Sequence, residues 1–153
     1  MLNFKTNKTT KQTNIMKRNA SAVWTGSIKE GAGKLTTQSG VLTDTPYSFK
    51  TRFEEGNGTN PEELVAAAHA GCFTMQLTAF LNEAGHEVSN IQTKCVIDFQ
   101  NGSIVGSHLT VEANIPNIED GEFQELVTKA EKNCPISKLL NTEITSEATL
   151  NRS

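Results

Sequence analysis

Between Leu64 and Phe73 the sequence reads Leu-Val-Ala-Ala-Ala-His-Ala-Gly-Cys-Phe, and this stretch restricts sharply what the chain can fold into. It follows Asn60-Pro61-Glu62-Glu63, which has the chemistry of a helix start. Asn60 can accept a backbone N–H as N-cap, Pro61 occupies the first position where no donor is missed, and Glu63 can close a capping box. The helix is expected to run to about Ala84, with Gly85 as its left-handed C-cap. An amphipathic surface helix has a polar face, whereas this one is apolar almost all round, so it is expected to be a buried central helix. Ala66, Ala67, Ala68, Ala70 and Gly71 would let a second helix approach closely.

The segments on either side set the fold class. Ser21–Trp24 and Lys34–Gln38 read as short strands around a Gly31-Ala32-Gly33 turn. From Tyr47 to Phe53 the aromatic residues alternate with Ser48, Lys50 and Arg52, which predicts a strand carrying Arg52 near its end. Two longer alternating segments, Ile91–Phe99 and Leu109–Ile115, flank an Asn101-Gly102 hairpin turn. A helix is expected over about 120–132, a short one after Pro135, and a last strand over 144–150. Strands, helix, hairpin, helices and strand, with antiparallel hairpins and no βαβ repetition, give an α+β fold.

Length and charge narrow the function classes. At 153 residues the chain has the size of one domain, and such a domain buries roughly two thirds of its unfolded surface without disulfide staples. Residues 16–153 are expected to form that domain and residues 1–15, rich in Asn, Thr and Lys, a disordered N-terminal extension. Residues 1–18 carry five basic residues and no acid, which leaves nine basic against seventeen acidic residues, a net of −8, on the body. An acidic body argues against nucleic acid as partner. No unbroken run approaches the ~20 apolar residues of a membrane span, and the first residues lack the apolar core of a secretory signal. Three cysteines, an odd number, point to reduced thiols and a cytoplasmic location.

In that setting a cysteine is either packed core or chemistry. Cys134 stands before Pro135 at a helix start, where unpaired N–H groups and the helix dipole favour a thiolate; it could equally fill a helix–helix corner. Cys72 lies midway along the apolar helix, where burial makes a thiol inert unless a cation is near. Arg52 is the candidate cation, held in turn by Glu62 or Glu63 through a forked contact. Cys95 points to the apolar face of a strand and reads as core. His69 and Cys72 are three apart, a metal-ligand spacing, but two ligands without a CxxC make a weak signal. His86 and His108 read as surface histidines.

Thr51-Arg52-Phe53-Glu54, Gly58-Thr59-Asn60-Pro61-Glu62-Glu63-Leu64, Ala67-Ala68-His69-Ala70-Gly71-Cys72-Phe73 and Cys134-Pro135-Ile136-Ser137 together closely resemble the OsmC/Ohr family, the osmotically inducible and organic hydroperoxide resistance proteins. The likeness runs from about Ser21 to Leu150. An arginine just before the central helix looks like the OsmC branch, since the Ohr branch carries its arginine nearer the N-terminus. Gly71 stands where the family often has Ala, a departure that touches nothing catalytic.

The resemblance implies a thiol peroxidase that reduces organic hydroperoxides and, less well, hydrogen peroxide, with no cofactor and no metal. It implies that Cys72 is the peroxidatic and Cys134 the resolving cysteine, that Arg52 and Glu62 are the family's arginine and its carboxylate partner, and that a Cys72–Cys134 disulfide is reduced by a dithiol carried on a lipoylated protein. It also implies an intertwined homodimer, with central helices inside wrapped antiparallel sheets and two sites at the interface. The residues alone name Cys134 as the more acidic thiol; the resemblance places the first attack at Cys72. Two rival readings remain at this stage: a stress sensor that oxidises once, and a small-molecule-binding dimer in which both thiols are core.

Overall fold

The computed structural model describes residues 15–151, so almost all of the expected N-terminal extension lies outside the described residues. The element order is β1 (Ala20–Thr25), β2 (Ala32–Thr37), β3 (Thr45–Tyr47), α1 (Phe49–Phe53), α2 (Pro61–Glu83), β4 (Asn90–Gln100), β5 (Ser103–Asn114), α3 (Asp120–Asn133), α4 (Pro135–Leu139) and β6 (Glu143–Leu150). It is a mixed α+β fold with two three-stranded sheets, β1-β2-β3 and β4-β5-β6. β4 and β5 pair antiparallel through the expected turn, where Asn101 and Gly102 have φ of 50° and 82°. Both central residues at positive φ are what a two-residue hairpin with the right twist demands.

β6 departs from the all-antiparallel expectation: it pairs parallel to β5, Gly106 opposite Glu143 through Ala113 opposite Leu150. A parallel neighbour cannot be reached by a tight turn, and α3 with α4 forms the crossover. That crossover lays α3 against α2, which brings residue 134 to residue 72.

The second departure is α1. Tyr47–Phe53 reads as a strand in sequence, yet β3 ends at Tyr47 and Arg52 sits on a helical turn. Ser48 is the cause: its Oγ accepts the Thr51 N–H at 3.2 Å, and its own N–H donates to Thr51 Oγ1 at 2.9 Å. This is a capping box with threonine in the usual Glu/Gln position. Phe49 and Phe53, with ring centroids 4.6 Å apart, are four residues apart, a separation that satisfies both a period of 2 and one of 3.6.

α2 begins as expected, with Asn60 Oδ1 accepting the Glu63 N–H at 2.8 Å and Pro61 in the first turn. Glu63 does not close a capping box; its carboxylate accepts from Thr59 Oγ1 at 2.7 Å. The helix ends at Glu83, and Gly85 takes a φ of 88°. His69, Phe73, Leu77 and Leu81, spaced four apart, form its buried stripe and pack with Leu109, Val111, Phe123, Val127 and Ala130 from β5 and α3.

One face of α2 lies open in the single chain, including Ala67, Ala68, Gly71, Ala79 and Met75, the last 77% exposed. By length and composition alone α2 could cross a membrane, but its stripe is part of a core shared with α3 and the β4-β5-β6 sheet. The β1-β2-β3 sheet is also largely uncovered, with Val23 of β1 63% exposed and Ile28 in the β1–β2 turn 66% exposed. Its ties to the rest run through α1 and the loop before α2, by the Tyr47–Thr59 bridge and the Thr51 Oγ1 bond to the Thr59 carbonyl at 2.8 Å.

Candidate thiol site

Cys134 owes its position to Pro135. A residue before proline is pushed out of the helical region, and Cys134 has φ −57° and ψ 126°. It therefore ends α3, its N–H bonded to the Ala130 carbonyl at 2.9 Å, and starts α4, its carbonyl accepting the Lys138 N–H at 3.0 Å. The Cys134 thiol is fully buried and lies beside the Cys72 thiol, whose sulfur also faces the Ile136 N–H.

Both sulfurs are unbridged. Burial pushes the Cys72 thiol above its ordinary pKa, the Cys134 thiol adds to the rise, and the Ile136 N–H works against it. Cys72 opens into a shallow groove of about 520 Å³ lined by Ala68, Met75, Gln76, Ala79, Pro135 and Ile136. With Cys134 sealed and Cys72 open, a reagent from solution meets Cys72 first.

Arg52 and Glu62 meet as expected. The guanidinium grips the carboxylate through Nε at 3.1 Å to each oxygen and Nη2 at 2.6 Å to Oε1. The arginine also lies over the Phe99 ring at 4.7 Å and the Phe53 ring at 5.5 Å. Glu62 is in the first turn of α2, where a carboxylate complements the helix dipole. What the single chain does not do is bring this pair to Cys72. Ten residues of α2 separate Glu62 from Cys72, about 15 Å along the helix axis.

Cys95 packs half-buried against the core, its sulfur 3.3 Å from Ser107 Oγ, and burial raises its pKa. His86 bonds Glu122 at 3.0 Å; His108 bonds Asp98 at 2.9 Å and Thr145 at 2.5 Å. Among the described residues no group of three or more His, Cys, Asp or Glu side chains is placed to hold a metal.

The residue that sequence reasoning undervalued is His69, weighed there only as half of a metal pair. It is fully buried, with Nδ1 2.6 Å from Ser107 Oγ and Nε2 2.8 Å from Ser137 Oγ. Its burial lowers its pKa, opposed by the charge of Glu131. The signal was present: His69 is in phase with Phe73, Leu77 and Leu81, so it had to face the core and find polar partners there.

Residues 54–149 match the family model described as OsmC-like protein. The chain is 42% identical over 132 residues to peroxiredoxin OsmC of Escherichia coli K12, covering 84% of this chain and 92% of that one. It is 32% identical over 111 residues to the organic hydroperoxide resistance protein OhrB of Bacillus subtilis, covering 70% and 80% of the two chains. A crystal structure of an organic hydroperoxide resistance protein from Elizabethkingia anophelis superposes with a TM-score of 0.65 at 25% identity, over 92% of this chain and 99% of that one. The fold and the paired thiols therefore define an OsmC/Ohr-type protein. The chain belongs to the OsmC-like family.

Proposed function

We propose that this chain is a thiol peroxidase that reduces organic hydroperoxides. The observation that carries the reading is the contact between two unbridged thiols from distant motifs, one open to an apolar groove and the other sealed behind it. The names of the relatives point the same way. The Cys72 thiolate attacks one peroxide oxygen, the O–O bond breaks, and the other oxygen leaves as an alcohol after taking a proton. The resulting Cys72 sulfenic acid condenses with the Cys134 thiol, forming the S–S bond and releasing water. A dithiol, on this reading a lipoyl group carried by a protein, returns both cysteines to thiols by exchange. The Ala, Met and Pro lining favours an alkyl peroxide over hydrogen peroxide. The reaction runs on cysteine sulfur without a metal, and reduced thiols suit a cytoplasmic setting.

The proposed working form is an intertwined homodimer, and two observations support it. One face of α2 and most of the β1-β2-β3 sheet are left open in a single chain. The Arg52–Glu62 pair also has no thiol within its own chain to act on. A second copy wrapped around the first would cover the exposed apolar residues and supply its arginine to Cys72.

The test is peroxide consumption with lipoamide, thioredoxin or glutathione as reductant, alongside the mass in solution by light scattering. Sustained turnover with lipoamide by a protein of two chains is expected. A single oxidation without turnover would make it a sensor. A folded monomer would remove the proposed source of the cation.

A further inference from the structure

α4 has only five residues, and a helix this short does not hold itself together. Its N-cap, Cys134, makes no side-chain cap bond, and Leu139 is 74% exposed. What seats α4 in the body is Ile136 against the core and the buried Ser137 hydroxyl on His69. The His69 ring is fixed from its other side by Ser107 of β5. One proton arrangement satisfies the whole group. The Cys95 thiol donates to Ser107, the Ser107 hydroxyl donates to Nδ1, and Nε2–H donates to Ser137. The charged neighbour is Glu131 of α3, and the titratable one is Cys95 of β4. A neutral imidazole thus clamps β5 to α4 through the middle of the core.

We propose that His69 is a positioning residue for the thiol chemistry: by holding Ser137 it seats α4 so that Cys134 and the Ile136 N–H both face Cys72. The inference rests on the thiol-peroxidase reading. Closing the disulfide draws two neighbouring, unbridged sulfurs to about 2 Å, so a small drift of α4 lowers the rate at which the Cys134 sulfur meets the sulfenic acid. The competing fate is attack of the Cys72 sulfenic acid on a second hydroperoxide. That attack oxidises the sulfur to sulfinic acid, which exchange does not reverse, and releases a second alcohol. His69 thereby governs which product forms, without touching the peroxide.

The experiment is to treat wild type, Ser137→Ala and Ser137→Thr with rising excess of a tertiary alkyl hydroperoxide. The oxidised forms are then resolved by intact mass and peptide mapping, well below each variant's melting temperature. Ser137→Ala is expected to give several-fold more Cys72 sulfinic acid relative to disulfide at equal excess. Ser137→Thr, which keeps the hydroxyl, is expected to return towards wild type. A purely structural loss moves the melting temperature and not this ratio. If Ser137→Ala is recovered unfolded, Ser107→Ala carries the test, with a smaller shift in the same direction. A wild-type ratio in the folded variant overturns the inference. A wild type that forms no Cys72–Cys134 bridge refutes the peroxidase reading, and the inference with it.

Discussion

Arg52 is the residue whose replacement separates stability from chemistry most cleanly. Its side chain is 37% exposed and its partner's 15%, and a pair this open to solvent contributes about 0–1 kcal/mol to folding. The stacking on Phe99 adds about 0.5–1 kcal/mol at such a site. Arg52→Ala is therefore expected to leave the fold intact. In the proposed dimer, its expected effect on Cys72 is of another order. Burial holds that thiol above its ordinary pKa, and no cation of its own chain appears among the causes that shift it. A guanidinium brought within contact range lowers a thiol's pKa by about 1–3 units, and each unit is about tenfold in thiolate. In the proposed dimer, Arg52→Ala should slow the attack on peroxide at neutral pH by at least about tenfold and move its pH profile upward. Arg52→Lys should restore only part, because an ammonium cannot grip Glu62 with a fork.

The separation of about 15 Å along α2 makes a sharper test possible. If Arg52 acts across the dimer, a Cys72→Ser chain can lend its arginine to a chain carrying Arg52→Ala. Each variant alone is inactive or nearly so. Refolded together in equal amounts, half the dimers are mixed and each has one complete site, so about a quarter of wild-type activity should return, given two-fold symmetry. Activity that stays at the level of the separate variants would refute action across the dimer. An unchanged pH profile in Arg52→Ala would remove arginine from the mechanism altogether and direct attention to Lys50.

One equivalent of organic hydroperoxide should join Cys72 to Cys134 and leave Cys95 free on peptide mapping; a bridge to Cys95 would contradict the assignment. Phe73→Ala, at a fully buried position in the α2 stripe, should cost about 3–5 kcal/mol by chemical denaturation, and a loss below 1 kcal/mol would place Phe73 outside the core. Because His69 has its pKa lowered in the fold, the unfolded chain binds more protons at acid pH. Its contribution to stability is complete above about pH 6.5, the ordinary histidine value, and is lost as pH falls from there towards the folded value. His69→Gln should flatten that part of the stability–pH curve, and an unaltered curve would show that other groups set it.

The elements with several independent signals were legible in the sequence. α2 had Asn60, Pro61 and Gly85 as punctuation, and the β4–β5 hairpin had Asn101-Gly102. α1 was not legible, because Phe49 and Phe53 fit a strand and a helix equally and only the Ser48–Thr51 box decides between them. The parallel pairing of β6 was not legible either, because alternation within a strand carries no information about the direction of its neighbour. Cys72, Cys134, Arg52 and Glu62 were all singled out from sequence, and the structure puts Cys72 beside Cys134 and Arg52 on Glu62. Their division into two groups was not legible, since it depends on distance along a helix that the sequence reading took to lie close to a strand. His69 went unnoticed as a clamp because Ser107 and Ser137 are 38 and 68 residues away.

In the proposed dimer, that division also says where the two copies would cross. In an antiparallel pair of α2 helices whose midpoint falls at Ala67, the partner's Glu62, five residues before the midpoint, lies level with Cys72, five residues after it. The local sequence there is Ala66-Ala67-Ala68, the smallest side chains available for close approach of two helices. Ala67 and Ala68 are exposed in the single chain. The same small residues that make α2 unlike a surface helix would thus set the depth at which one chain's Arg52–Glu62 pair meets the other's Cys72. Ala67→Leu isolates this geometry, because leucine is almost as good a helix former as alanine and the side chain is exposed in its own chain. It is expected to leave α2 helical by circular dichroism while weakening the dimer and lowering Cys72 reactivity together, by about as much as Arg52→Ala does. Dimer and reactivity both unchanged would show that the helices cross elsewhere; a dimer retained with reactivity lost would keep the crossing and show that it, rather than assembly itself, brings the guanidinium within reach of the sulfur.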